Sequence, residues 1–147
     1  MLDLQIIGTV HSCYKEKFGI PRQPGLVTEA KGCIELLPPY NKEEAVRGLE
    51  GYSHLWVSFV FHKTKEQGWS PMVRPPRLGG NAKVGVFASR SMFRPNPIGL
   101  SVVKMEGVDC SDGVKIRISG MDLVDGTPVI DIKPYVPYVD SVADAKG

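Results

Sequence analysis

The stretch from Gly85 to Lys104, GVFASRSMFRPNPIGLSVVK, sets Arg90, Arg94 and Asn96 around Pro95 and Pro97. A guanidinium is a planar fork of donors matched to a carboxylate or phosphate, so two of them on one short loop suit an anionic partner. The prolines stiffen that loop. Each holds its own φ at about −65° and biases the residue before it, Arg94 or Asn96, toward extended backbone. A tight turn with solvated arginines has the same pattern, and the residues alone leave both readings open. The design recurs upstream in Pro21-Arg22-Gln23-Pro24-Gly25, where a rigid connector is the competing reading. Arg74 and Arg77, in Arg74-Pro75-Pro76-Arg77, could reach phosphates from an arm or lid hinged at Gly79-Gly80, or belong to an irregular surface loop.

Other chemistries are poorly supported. His54 and His62 share a strand face but lie eight residues apart, about 26 Å in a straight strand, so they cannot hold one ion. His54 is expected to be a hydrogen-bonded structural histidine, and His62, at the strand end, is better placed to meet a ligand. No metal site is expected. Gly-x-x-x-x-Gly-Lys-[Ser/Thr] and Gly-x-Gly-x-x-Gly phosphate loops do not occur, nor does a Gly-x-Ser-x-Gly elbow, and no cysteine has an evident histidine partner. Asp122, Asp125 and Asp131 crowd into ten positions; Asp125 opens the turn Asp125-Gly126-Thr127-Pro128, where turn formation is the commoner role for an aspartate.

The elements that position these residues are short strands. Ser53 to Phe61 alternates strictly, with Leu55, Val57, Phe59 and Phe61 on one face and His54, Trp56, Ser58 and Val60 on the other. Leu4 to Val10 and Lys31 to Leu37 read as two further strands, and Val84, Val86 and Phe87 begin another. Ile98 to Val108 follows the proline loop, then Ser111-Asp112-Gly113 turns into Val114 to Ser119, a half-exposed hairpin partner. Asn41 and Glu44 suggest a capping box opening the one good helix, Lys42 to Leu49. The pattern predicts a mainly β domain, an antiparallel closed barrel of about seven strands with one short helix and long loops at one end.

At 147 residues and 42% hydrophobic content the chain supports one domain, 1–147, with a real core. It has no basic, apolar leader and no apolar run of membrane-spanning length, so a cytoplasmic protein is expected. Cys13, Cys33 and Cys110 give neither a disulfide framework nor a zinc knuckle and are expected to be small buried residues. The net charge of +2 is unevenly spread. Between His62 and Arg94, seven cations face Glu66 alone, an excess of six, leaving −4 for the remainder. Such a segment is either a polyanion-binding surface, most commonly for nucleic acid, or a solvated basic loop.

The order of Tyr14-Lys-Glu-Lys-Phe18, Pro21-Arg-Gln-Pro-Gly25, Ser53-His-Leu-Trp56, Phe61-His62, Arg74-Pro-Pro-Arg-Leu-Gly-Gly-Asn81, Gly85-Val-Phe-Ala88, Phe93-Arg-Pro-Asn-Pro-Ile-Gly99 and Asp122-Leu-Val-Asp-Gly-Thr-Pro128 resembles the TsaA-like family over nearly the whole chain. That resemblance implies a β-barrel methyltransferase. It would use S-adenosylmethionine to methylate N6 of threonylcarbamoyl-modified adenosine at position 37 of tRNA, threonine tRNA foremost, as a homodimer with the cofactor near the subunit interface. Cofactor contacts implied in the same way are Arg22, Gln23, Pro24, His62, Lys63, Arg90, Leu100, Asp125, Gly126 and Thr127. Arg74, Arg77, Arg94 and Asn96 are then expected to grip the tRNA anticodon stem-loop. Asp125 and Tyr52 are the candidates for a base at N6, although the sequence identifies none. Longer family members continue into a second, smaller domain, which leaves open any tRNA contact made there. The rival reading is a non-catalytic basic barrel module that binds nucleic acid or a small anion.

Overall fold

The computed structural model describes residues 3–12, 31–61, 68–74, 82–120 and 123–147. Its strands are β1 (Gly8–Ser12), β2 (Lys31–Leu36), β3 (His54–Val60), β4 (Met72–Val73), β5 (Val84–Gly85), β6 (Ile98–Asp109), β7 (Lys115–Ser119) and β8 (Pro128–Pro134). Six of them close an antiparallel barrel in the order β1-β2-β7-β6-β3-β8, with β8 returning to β1 through Gly8 opposite Val129 and Thr9 opposite Pro128. β4 and β5 form a separate two-stranded ribbon. The expected barrel is therefore present, with six strands in its wall.

Alternation fills the barrel. Leu55, Val57 and Phe59 of β3 point inward, as do Ile34 and Leu36 of β2, Val103 and Met105 of β6, and Ile116 and Ile118 of β7. Each such side chain contributes about 1.5–3 kcal/mol by leaving water. Gly99 of β6 lies opposite Phe59, and a Cβ there would come 2.5 Å from Phe59 Cε2 and 2.9 Å from Phe61 Cζ. The missing side chain is what lets the two rings, 5.2 Å apart and edge-to-face, lie across β6.

The Asp-Gly turn between β6 and β7 forms where expected. The Ser111 amide (3.1 Å) and hydroxyl (2.8 Å) both donate to Asp109 Oδ1, and these bonds hold the Asp109 carboxyl below its ordinary range. Because the folded value is the lower one, the stability linked to this carboxylate is present above the unfolded value and disappears as pH falls through the folded one. An NMR titration of Asp109 is expected to give a midpoint below that of a free aspartate, and Ser111→Ala to raise it. A midpoint at or above the free value would contradict the bonding.

Several expectations need correction. Lys42 to Leu49 is not an α-helix but a 3-10 turn at Glu43–Val46, followed by another at Leu49–Gly51. Asn41 caps nothing: Lys42 takes the N-cap position without a side-chain bond, and Arg47 turns extended (ψ 128°) before Gly48 enters the left-handed region at φ 88°. Eight residues bring too few i to i+4 bonds to offset helix nucleation once the chain must turn into β3. The α-helical turn of the described residues is instead α1 (Pro137–Asp140). The first strand lies later than Leu4 to Val10, because its pairing with β2 and β8 sets its bounds; Leu4 and Ile6 are exposed. The run at Val84 gives only a two-residue strand, since Val86–Ala88 coils into a 3-10 turn and leaves Phe87 76% exposed. Cys110 is exposed and Cys33 half-buried, so neither is the buried residue expected, while Cys13 lies outside the described residues.

Candidate functional site

Antiparallel pairing decides which connections meet. β3 ends at Val60 opposite Ile98, the first residue of β6, and the Phe61 amide donates to the Pro97 carbonyl at 2.9 Å. β8 begins beside that end of β3, with Val129 opposite Phe59. β1 runs out beside the start of β8, the Val10 amide donating to the Thr127 carbonyl (3.0 Å) and the Gly126 amide to the Val10 carbonyl (2.7 Å). The exits of β1 and β3, the proline loop entering β6 and the Asp125 turn entering β8 thus all lie at one end of the barrel.

The proline loop is tied down on both sides. The Val86 amide donates to the Pro71 carbonyl and the Ser70 amide to the Phe93 carbonyl, both at 2.9 Å, which joins the loop to the β4–β5 ribbon. Within it, Ser89 Oγ donates to the Val86 carbonyl (2.8 Å) and accepts from the Ser91 amide (3.2 Å), and Ser91 Oγ accepts from the Phe93 amide (3.1 Å). Sequence reasoning passed over both serines. The signal available was their spacing, hydroxyl residues two apart ahead of an irregular segment, which favours local side-chain-to-backbone turns. Residues 68–97 contain Arg74, Arg77, Lys83, Arg90 and Arg94 and no carboxylate. Trp69 (55% exposed) and Phe87 present aromatic faces from the same region.

The expected site residues fall into three groups. Arg90, Asn96 and Leu100 are exposed on or just after the proline loop, Leu100 pairing with Ser58, and Arg74 is exposed just past β4. Asp125, Gly126 and Thr127 make the turn into β8. Gly126 sits at φ 88°, a left-handed conformation that a side chain would strain, and the Thr127 hydroxyl is spent inside the turn on the Val124 carbonyl at 2.6 Å. Two residues are placed differently from the rest. Tyr52 precedes β3, so a strand of about 20 Å separates it from the loop end of the barrel. Arg94 is half-buried and points one guanidinium nitrogen into its own loop. Arg22, Gln23, Pro24, His62, Lys63 and Arg77 lie outside the described residues.

His54 accounts for itself structurally, its Nδ1 lying 2.7 Å from Ser53 Oγ. Among the described residues no three His, Cys, Asp or Glu side chains gather where a metal ion could be held. No helix among them is long and apolar enough to cross a membrane.

Comparison with known proteins gives one consistent result. Residues 9–141 match the model of the tRNA-methyltransferase O N-terminal domain. A tRNA (adenine(37)-N6)-methyltransferase of Escherichia coli (strain K12) is 61% identical over 142 residues, covering 96% of this chain and 60% of that protein. A Pseudomonas aeruginosa protein, named as a candidate S-adenosylmethionine-dependent methyltransferase, is 56% identical over 141 residues with the same two coverages. Among solved structures, one described as the crystal structure of TrmO superposes with a TM-score of 0.82 at 47% identity, covering all of this chain and 63% of the other. The chain therefore spans about three fifths of the length of the relatives it matches.

Proposed function

This chain belongs to the tRNA-methyltransferase O N-terminal domain family, and from that premise we propose that it methylates N6 of threonylcarbamoyl-modified adenosine 37 in tRNA, using S-adenosylmethionine. The observation that supports the reading is the gathering of the proline loop with its exposed Arg90, the Asp125 turn and the exits of β1 and β3 at one barrel end.

The described residues there fit the cofactor's chemistry. The cofactor carries a carboxylate, for which the exposed Arg90 guanidinium is a matched donor, and apolar surface, which the exposed Leu100 side chain suits. When bound, S-adenosylmethionine supplies a methyl group made electrophilic by its sulfonium. The protein contributes placement: a stiff loop and a hydrogen-bonded turn hold their groups before substrate arrives, where orientation gives the largest rate advantage. Asp125, half-exposed at that end, is the described candidate to take the N6 proton; Tyr52, at the far end of β3, is not placed to do so in this subunit. Arg74, Lys83 and Asn96 would meet the anticodon stem-loop, with Trp69 and Phe87 offering faces for unstacked bases. A homodimer covering the exposed Ile98 and Leu100, with the cofactor near the interface, and a place in the cytoplasm complete the reading.

The test is mass spectrometry of nucleosides from threonine tRNA incubated with the protein and methyl-labelled S-adenosylmethionine. Label on the modified adenosine is expected. Cofactor binding without transfer would move the catalytic requirement to the part of the relatives that this chain does not span, and absence of cofactor binding would favour the non-catalytic module.

A further inference from the structure

We propose that Arg94 is a positioning residue, which clamps the main chain on both sides of Arg90 and so fixes where the Arg90 guanidinium is presented. The Arg94 Nη1 donates to the Ser89 carbonyl at 3.1 Å and to the Ser91 carbonyl at 3.0 Å, the carbonyls of the residues immediately before and after Arg90. Ser89 Oγ links the same peptides from within, accepting from the Ser91 amide while donating to the Val86 carbonyl. Arg90, held between them, is exposed and has no hydrogen-bond or ion-pair partner among the described residues. The two arginines of the loop thus divide their work: one is half-buried and bonded to backbone, the other faces outward.

The chemistry suits the role. One guanidinium nitrogen carries two hydrogens in a fixed plane and can bridge two carbonyls at once, and a charged donor makes each bond stronger than a neutral one. Arg94 also precedes Pro95, which restrains its own backbone, so the clamp is anchored in the stiffest part of the loop. A nitrogen satisfied by two carbonyls of its own loop is less available to a phosphate, which sets this role apart from direct contact with tRNA.

The inference rests on the proposed function for what Arg90 binds, but its central claim can be tested without cofactor. Amide hydrogen exchange at Ser91 and Phe93 is measured in the intact protein and in Arg94→Ala and Arg94→Lys, with Ile116 as a check that the barrel is folded. Loss of two charge-assisted bonds is expected to speed exchange at Ser91 and Phe93 by about tenfold or more in Arg94→Ala. Arg94→Lys, which keeps a charged donor, should recover part of that protection. S-adenosylmethionine affinity should weaken about tenfold in Arg94→Ala, while the dependence of stem-loop binding on salt keeps its slope. Unchanged exchange in a folded Arg94→Ala protein would overturn the proposal. So would a salt slope lower by about one with exchange unaltered, the mark of a lost phosphate contact. If the unaltered protein bound no S-adenosylmethionine, the proposed function would fail, and exchange alone would still decide for or against the clamp.

Discussion

Replacing Arg90 by Ala is expected to weaken S-adenosylmethionine binding by about 30-fold or more while leaving the barrel folded. The size follows from removing one member of a desolvated charge pair, which costs roughly 2–5 kcal/mol, much of it from leaving the partner carboxylate unpaired. The innocence of the fold follows from position. Arg90 is exposed and has no partner among the described residues, so its loss removes no internal bond. Titration calorimetry gives the affinity and thermal unfolding the stability. Arg90→Lys should recover only part of the affinity, because an ammonium cannot make the two parallel bonds of a guanidinium. A variant that binds cofactor as tightly as the unaltered protein would remove Arg90 from the site.

The largest effect on stability is expected at Phe59, which is 7% exposed. Phe59→Ala should cost about 3–5 kcal/mol, a large part of the stability of an ordinary domain. No neighbour can close the gap from across β6, since Gly99 has no side chain, and Phe61 loses its edge-to-face partner. Urea unfolding reads the loss directly. Gly99→Ala alone should also destabilise, by roughly 1–3 kcal/mol of overpacking, because its methyl would meet the Phe59 and Phe61 rings. Made together, the two changes should cost less than their sum, as the added methyl enters space the ring has left. Strict additivity would show that the two residues do not share that space.

How much of this was legible in the sequence depended on the range over which each feature is decided. β3 was readable because alternation is a local property: the apolar faces of Leu55, Val57 and Phe59 are written into consecutive residues. The Asp112-Gly113 and Asp125-Gly126 turns were readable for the same reason, glycine at a positive φ being a local demand. The bounds of β1 were not, because Gly8 to Ser12 is strand only by virtue of partners far along the chain. The capping-box pattern at Asn41 misled, since the left-handed turn at Gly48 leaves no room for an α-helix to propagate. Of the candidate site, the stiffness of the proline loop was visible in its composition. The separate duties of Arg90 and Arg94 were not, because a side chain bonding to carbonyls three and five residues earlier has no signature in residue type.

The direction in which β8 runs has a practical consequence. β8 finishes at the end of the barrel away from the proline loop, with Pro134 opposite Leu55 near the start of β3 and the Tyr135 amide bonded to the His54 carbonyl at 2.9 Å. Whatever is inserted just after Pro134, whether an affinity handle, a fluorophore or a surface tether, begins on the side remote from Arg90 and Arg94. Immobilisation through this position should therefore leave the face proposed to meet tRNA open to solution.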